Sequence, residues 1–163
     1  KATESPMKIN DEISGEHTFA EVTDFIVWTK DNMPSYQLAV VADDHRQGIT
    51  DIVRGNDLLQ SAGWQEQIYT TMNWRVPRWY HVPLVVGEDG KRLAKRHGDS
   101  RISTYRFRNV TKERIIGLIA MWTIPSYSRA PMELDNYVQE FDLNELPTGT
   151  FHFTKEDEAW LLD

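Results

Sequence analysis

The stretch Gly90-Lys91-Arg92-Leu93-Ala94-Lys95-Arg96-His97-Gly98-Asp99, preceded by the apolar run Val82-Pro83-Leu84-Val85-Val86, decides the fold class. Lys91, Arg92, Lys95 and Arg96 crowd into six residues, with Gly90 and Gly98 on either side. A strand that empties into a short cationic loop is a way to hold triphosphate charge at the open end of an α/β sheet. Arg92 and Lys95, three residues apart, can straddle a pyrophosphate and stabilise the charge that develops there. The same composition also suits a solvated surface loop, so the neighbouring segments decide between the two.

Working outward, residues 80–86 read as a strand. Residues 57–72 read as a helix whose apolar stripe is Leu58, Leu59, Ala62, Ile68 and Tyr69, with Asn56 as its cap. Residues 50–54 form a further short strand that Gly55 ends sharply. Strand, helix, strand with a parallel crossover is the grammar of half a nucleotide-binding fold. Residues 36–44 are ambiguous, because Leu38-Ala39-Val40-Val41-Ala42 suits a buried strand while Ser35 and Gly48 suit the two ends of a helix. Residues 19–28 are β-rich and predict one or two strands, and the polar residues 1–17 predict loop or a frayed edge. Beyond the basic loop, residues 102–106 predict a short helix, and Thr111 caps a buried one carrying Ile115, Ile116, Leu118, Ile119 and Trp122. An amphipathic helix follows near 132–141, and Thr154-Lys155-Glu156-Asp157 gives the last a capping-box start. The expected organisation is an α/β region over 1–99, holding the loop 90–99, and an all-helical tail over 100–163.

Composition sets limits on this. With 163 residues, 40% of them apolar, and six each of Trp, Tyr and Phe, the chain is long and apolar enough for a packed core. No segment approaches the roughly 20 apolar residues a membrane helix needs. The absence of cysteine excludes disulfides and thiolate zinc sites from this segment and fits a cytoplasmic location. The chain does not start with Met, so an upstream portion is expected. A net charge of −7 argues against indiscriminate nucleic-acid binding. The charge is uneven, however. Residues 91–108 hold Lys91, Arg92, Lys95, Arg96, Arg101, Arg106 and Arg108 against Asp99 alone, which predicts a local polyanion site such as ATP or the end of a tRNA.

Arg92-Leu93-Ala94-Lys95-Arg96 resembles the second signature of the class I aminoacyl-tRNA synthetases, in the form found in glutamyl enzymes. Pro34-Ser-Tyr-Gln-Leu-Ala-Val-Val-Ala-Asp-Asp44, Gln47-Gly-Ile-Thr50, Ile52-Val-Arg-Gly-Asn-Asp-Leu-Leu59 and His81-Val-Pro-Leu84 resemble the same family in order and spacing, so the likeness runs over residues 25–163. It implies a Rossmann-type fold, here the second half of the catalytic domain. It also implies ATP with Mg²⁺ on the triphosphate, glutamate, and tRNA. It makes Arg92 and Lys95 the catalytic, phosphate-contacting residues. Leu93, Lys95, His81, Leu84 and Asp57 become the ATP-binding set, and Tyr36 and Arg54 the glutamate-binding pair. An arginine at the end of an apolar strand is well shaped to hold a carboxylate, although Arg54 would also serve in an ion pair with Asp43, Asp44 or Asp57. Tyr36 would also serve as a packed aromatic. Asp57 suits the ribose, the tRNA terminus or simply a helix N-terminus. His81 suits an adenine pocket or a structural histidine, and His45 reads as surface.

The chain departs from the family pattern in several places. Arg92 stands where a lysine is usual, Ala94 replaces a serine, and neither the His-x-Gly-His signature nor the zinc-binding insertion is present. The missing signature predicts a C-terminal half that cannot activate an amino acid alone and needs its N-terminal half as partner. Gln47-Gly48 and Asn56-Asp57-Leu58-Leu59 look more like the shorter glutamyl-queuosine tRNA(Asp) synthetases than the conventional glutamyl-tRNA synthetases, which favours tRNA-Asp over tRNA-Glu. A non-catalytic paralogue binding RNA or protein is the reading from a different class.

Overall fold

The computed structural model describes residues 7–19, 24–93 and 101–163. The chain divides into two compact units between Val82 and Pro83.

The first unit begins with a hairpin. Met7–Asp11 (β1) and Gly15–Phe19 (β2) pair antiparallel, with Asp11 opposite Gly15, whose φ of 80° makes the return. Along β1 the buried positions are Ile9 and Asp11, while Lys8 and Asn10 face water. Over residues 7–17 this corrects the expectation of loop or a frayed edge. A carboxylate occupies one of the two inward positions, which hides the strand's alternation from a hydrophobic pattern. The predicted strand over 19–28 is corrected as well. β2 ends at Phe19, and residues 24–28 lie outside any strand, Trp28 making only an isolated bridge to Pro34.

The ambiguous segment is a helix, Tyr36–Gln47 (α1), entered at an extended Ser35 and closed by Gly48 at φ 70°. Val41 is buried, and Leu38 and Val40 pack on the same core. His45 is exposed, with its ring 4.0 Å from that of Trp74. Asp51–Gly55 (β3) leads through a single 3₁₀ turn, Asn56–Leu58, into Leu59–Thr71 (α2). Asn56 opens that turn, and neither the turn nor α2 has a side-chain cap. Arg78–Val82 (β4) completes a four-stranded sheet in the order β2-β1-β4-β3, with β4 parallel to both β1 and β3. The register sets Arg54 beside His81 and Asp11 beside Trp79, so Asp11, His81 and Arg54 come from three adjacent strands, with Asp11 one pair of residues along from the His81–Arg54 row. Ile9, Val41, Ala62, Ile68, Tyr69 and Trp79 form the core between sheet and helices. Complete burial of side chains such as Ile9, Val41 and Ile68 is worth about 1.5–3 kcal/mol each.

The second unit takes the rest. Pro83 has no N–H to continue a ladder, and the strand expected over 80–86 divides there. Val85–Val86 (β5) pairs in parallel with Phe151–His152 (β6), so the division after Val82 comes earlier than the boundary expected after residue 99. After β5 the chain turns back at Gly90 (φ 70°), with Gly87 N–H donating to Lys91 C=O at 2.9 Å and Leu93 N–H to Val85 C=O at 3.0 Å. The helices are Ile102–Phe107 (α3), Lys112–Thr123 (α4), Leu134–Glu140 (α5) and Lys155–Leu162 (α6). Thr111 caps α4 by accepting from Arg114 N–H. Thr154 and Asp157 form the predicted capping box, with Thr154 N–H donating to Asp157 Oδ2 at 2.8 Å. Tyr105, Leu118 and Leu161 form one buried cluster, and Ala120, Ile124 and Met132 another. The chain is thus mixed α/β with a parallel sheet and a mainly helical C-terminal part. No described helix is long and apolar enough to cross a membrane.

Candidate substrate site

Arg54 is the centre of the first unit's polar chemistry. Its Nε–H donates to His81 Nε2 at 3.0 Å, its Nη1 to Gln65 Oε1 at 2.8 Å and its Nη2 to the Leu58 carbonyl at 3.3 Å. These partners come from β4, α2 and the 3₁₀ turn, and all three are neutral. The guanidinium carbon also stands 5.1 Å from the centre of the Trp79 ring. Tyr36 and Asp44, on α1, act on Arg54 electrostatically, and Tyr36 also through a side-chain hydrogen bond. Burial draws the Arg54 pKa down, with Tyr36 and Asp44 opposing it. The ion pair envisaged for Arg54 therefore gives way to neutral acceptors, with Asp44 acting at longer range.

Behind Arg54 the chain of hydrogen bonds continues inward. His81 Nδ1 lies 2.7 Å from Asp11 Oδ2, and both side chains are fully buried. An arginine Nε–H can only donate, so His81 Nε2 accepts and the imidazole proton sits on Nδ1, facing Asp11. Asp11 Oδ2 also accepts from His81 N–H at 3.0 Å. Its Oδ1 accepts from the N–H groups of Ile13 and Ser14 and from the Ser14 hydroxyl. Burial pushes the Asp11 pKa up, but these donors outweigh it and the carboxyl is held below its ordinary value. Burial pushes His81 down, Arg54 adds to this, and the bond to Asp11 opposes it; the net direction is down. On the other side, Gln65 Nε2 donates to Gln37 Oε1 at 2.7 Å, tying α2 to the residue next to Tyr36. The hydroxyl of Tyr69 is buried near Asp44 and Arg54 and has no hydrogen-bond partner among the described residues; burial pushes its pKa up to about 12.

The neutral His81 sets a pH dependence. Unfolded, it titrates near 6.5; folded, it titrates lower, so in between the unfolded chain binds a proton that the folded chain does not. Its contribution to stability is complete above pH 6.5 and declines as pH falls below it. Denaturation midpoints of the wild-type chain should therefore drop on acidification through that window, and His81→Gln should flatten this part of the profile. Equal slopes for both proteins would contradict the assignment.

Of the residues singled out in the sequence, Tyr36, Arg54 and His81 come together in the first unit. Both ring nitrogens of His81 are engaged internally. Asp57 is exposed in the turn before α2 and has a partner. In the second unit Leu84 C=O accepts from Phe151 N–H, and Arg92 bridges back to Val86. Leu93 lines a cleft with Glu88, Phe153 and Lys155. Lys95, with the rest of 94–100, lies outside the described residues. Asp11, Ser14, Gln37 and Gln65 are the residues that sequence reasoning missed. The described cavity of about 440 Å³ between Phe25, Leu38, Ile68 and Met72 is lined by neither Tyr36 nor Arg54. Among the described residues no group of His, Asp and Glu is arranged to hold a metal ion.

The profile of the family described as "tRNA synthetases class I (E and Q), catalytic domain" matches residues 1–160, and the chain belongs to that family of aminoacyl-tRNA synthetase ligases. It is 35% identical over 153 residues to Glutamate–tRNA ligase 1 of Mesorhizobium japonicum, covering 93% of this chain and 32% of the relative. It is 45% identical over 147 residues to Glutamate–tRNA ligase of Azorhizobium caulinodans, covering 89% and 31%. A crystal structure of a glutamate tRNA ligase from Elizabethkingia meningosepticum in complex with its amino acid superposes with a TM-score of 0.80 at 27% identity, covering 98% of this chain and 36% of that one. The chain thus spans about a third of the length of these relatives.

Proposed function

We propose that the protein to which this chain contributes activates glutamate with ATP and transfers it to tRNA. Arg54, half-buried, charged and surrounded by neutral acceptors beside Tyr36, is the observation that carries this reading. His81, Gln65 and the Leu58 carbonyl take three of the five guanidinium donors, and the remainder, beside Tyr36, can bind a substrate carboxylate. In the first step a glutamate α-carboxylate oxygen attacks the α-phosphorus of ATP, the bond to the bridging oxygen breaks, and pyrophosphate leaves. Arg92 and Lys95 stabilise the charge on that leaving group, with Mg²⁺ carried on the triphosphate. In the second step an RNA hydroxyl attacks the activated carbonyl and AMP leaves. Leu84 supports the nucleotide side, Leu93 lies against the adenine, and Asp57 reaches the ribose or the tRNA end; His81, with both ring nitrogens engaged inside the protein, serves Arg54 instead. Positioning and charge stabilisation do the catalysis, without covalent participation by the protein. The missing His-x-Gly-His region would come from the rest of the protein, and a cytoplasmic location goes with this reading.

The names of the relatives support ligation of glutamate to tRNA, and the first reading takes tRNA-Glu as the acceptor. A second reading, transfer to the queuosine base of tRNA-Asp, rests on Gln47-Gly48 and Asn56-Asp57-Leu58-Leu59. ATP–pyrophosphate exchange with glutamate on the full-length protein tests both. Exchange is expected. Exchange that requires tRNA-Glu supports the conventional ligase, and exchange without any tRNA supports the queuosine type. No exchange in either condition makes a non-catalytic binding module the better account.

A further inference from the structure

We propose that Asp11 and His81 are positioning residues for Arg54, holding its guanidinium in the one orientation that presents it to a substrate carboxylate. The inference rests on the reading of Arg54 as the glutamate-binding arginine. It goes beyond that reading by assigning a role to a hairpin aspartate and a β4 histidine whose polar atoms are enclosed in the protein.

Three observations carry it. The first is polarity. Asp11 accepts from both His81 N–H and His81 Nδ1, so the imidazole is fixed in position and in tautomer, with its bare Nε2 turned to Arg54. The second is location. Arg54 Nε–H is the donor nearest the backbone and the guanidinium is planar, so an acceptor there fixes the tilt of the whole fork. Gln65 and the Leu58 carbonyl then hold the two outer nitrogens. The third is enclosure. Asp11 and His81 side chains are 0% exposed, so this pair cannot contact a ligand directly and acts only through Arg54. A carboxylate placed directly against Arg54 would neutralise its charge; an intervening neutral imidazole fixes geometry and leaves the charge for the substrate.

The experiment uses the full-length protein and the KM values for glutamate and ATP in pyrophosphate exchange. His81→Asn keeps a donor near the Nδ1 position for Asp11 and offers Arg54 nothing. His81→Gln reaches the Nε2 position with an acceptor for Arg54 and forgoes the bond to Asp11. Positioning predicts a glutamate KM about tenfold higher in His81→Asn, near wild type in His81→Gln, and an ATP KM unchanged in both. A glutamate KM in His81→Asn within about twofold of wild type, or equal increases in both variants, would overturn the proposal. Arg54→Lys separates this from failure of the underlying reading. If it leaves the glutamate KM unchanged, Arg54 is not the glutamate site at all; if it raises that KM while His81→Asn does not, only the positioning role falls.

Should His81→Asn fail to fold, the wild-type pH profile reads the same relation. The groups facing His81 are Asp11 from β1, Arg54 from β3 and the Trp79 ring on its own strand, with His17 acting at longer range. Protonated His81 would turn an N–H toward the Nε–H of Arg54. The glutamate KM is then expected to rise on acidification with the ATP KM flat, and a glutamate KM that does not change overturns the proposal.

Discussion

Gly117→Ala is expected to destabilise the second unit by about 3 kcal/mol, the upper part of the range for forcing extra atoms into a packed site. Gly117 is buried in α4 where the helix crosses the segment holding Ala130 and Pro131, and a Cβ there would collide with the Ala130 carbonyl oxygen. The obstacle is backbone on both sides, so no rotamer change relieves it. Met132 N–H donates to Glu113 C=O at 2.9 Å, which anchors the crossing segment to the first turn of the same helix. The clash therefore pushes on the contact that also seats Met132 against Ala120 and Ile124. In a unit of this size the expected cost lowers the melting temperature by roughly 10–20 °C. Gly149→Ala is the control, since nothing lies within 4 Å of its added methyl group. Thermal unfolding followed by circular dichroism should show a large drop for the first and little change for the second. Similar midpoints for the two variants would mean that α4 and this segment are not tightly packed.

The second unit was legible where its signals were local. Thr111, and Thr154 with Asp157, were readable as caps because a capping side chain bonds to backbone three residues away. The pairing of Val85–Val86 with Phe151–His152 was not readable. Two-residue strands far apart in the chain have no period to detect, and a parallel partner leaves no mark on either segment. The same blindness moved the boundary between the units, because β5 belongs with its distant partner and not with the strand that precedes it.

In the first unit, β3, α2 and β4 were legible from apolar content and from Gly55 and Pro83 as punctuation. The hairpin was not, since Asp11 is an inward residue whose burial is made tolerable by donors from His81, Ile13 and Ser14. A carboxylate in a strand reads as surface until those donors are known. The site divided along the same line. Arg54 and Tyr36 stood out through a motif, while Gln37 and Gln65, ordinary helix residues in the sequence, matter only because two helices turn them toward one guanidinium. Functional sites are where local rules are expected to be broken, and a chain of Asp11, His81 and Arg54 from three adjacent strands, its first two members fully buried, is such a breach.

Arg54→Gln is expected to raise the KM for glutamate about 100-fold in the full-length protein, with the ATP KM little changed. Charge-assisted hydrogen bonds contribute about 1.5–3 kcal/mol each, and every 1.4 kcal/mol is about tenfold in affinity, so losing a carboxylate-binding cation gives that order. The effect on folding should be much smaller, about 1–2 kcal/mol. Burial already opposes the Arg54 charge, as its lowered pKa shows, so removing the charge relieves one cost while it deprives His81, Gln65 and the Leu58 carbonyl of donors. A glutamine amide restores some of those bonds. Pyrophosphate exchange with glutamate and with glutamine, alongside a denaturation curve, separates the two effects. A large loss for glutamate with a modest stability change places substrate recognition on Arg54. A variant that unfolds readily yet keeps the wild-type KM for glutamate would make Arg54 a structural arginine, and would move the search for the carboxylate partner to other cations of the full-length protein.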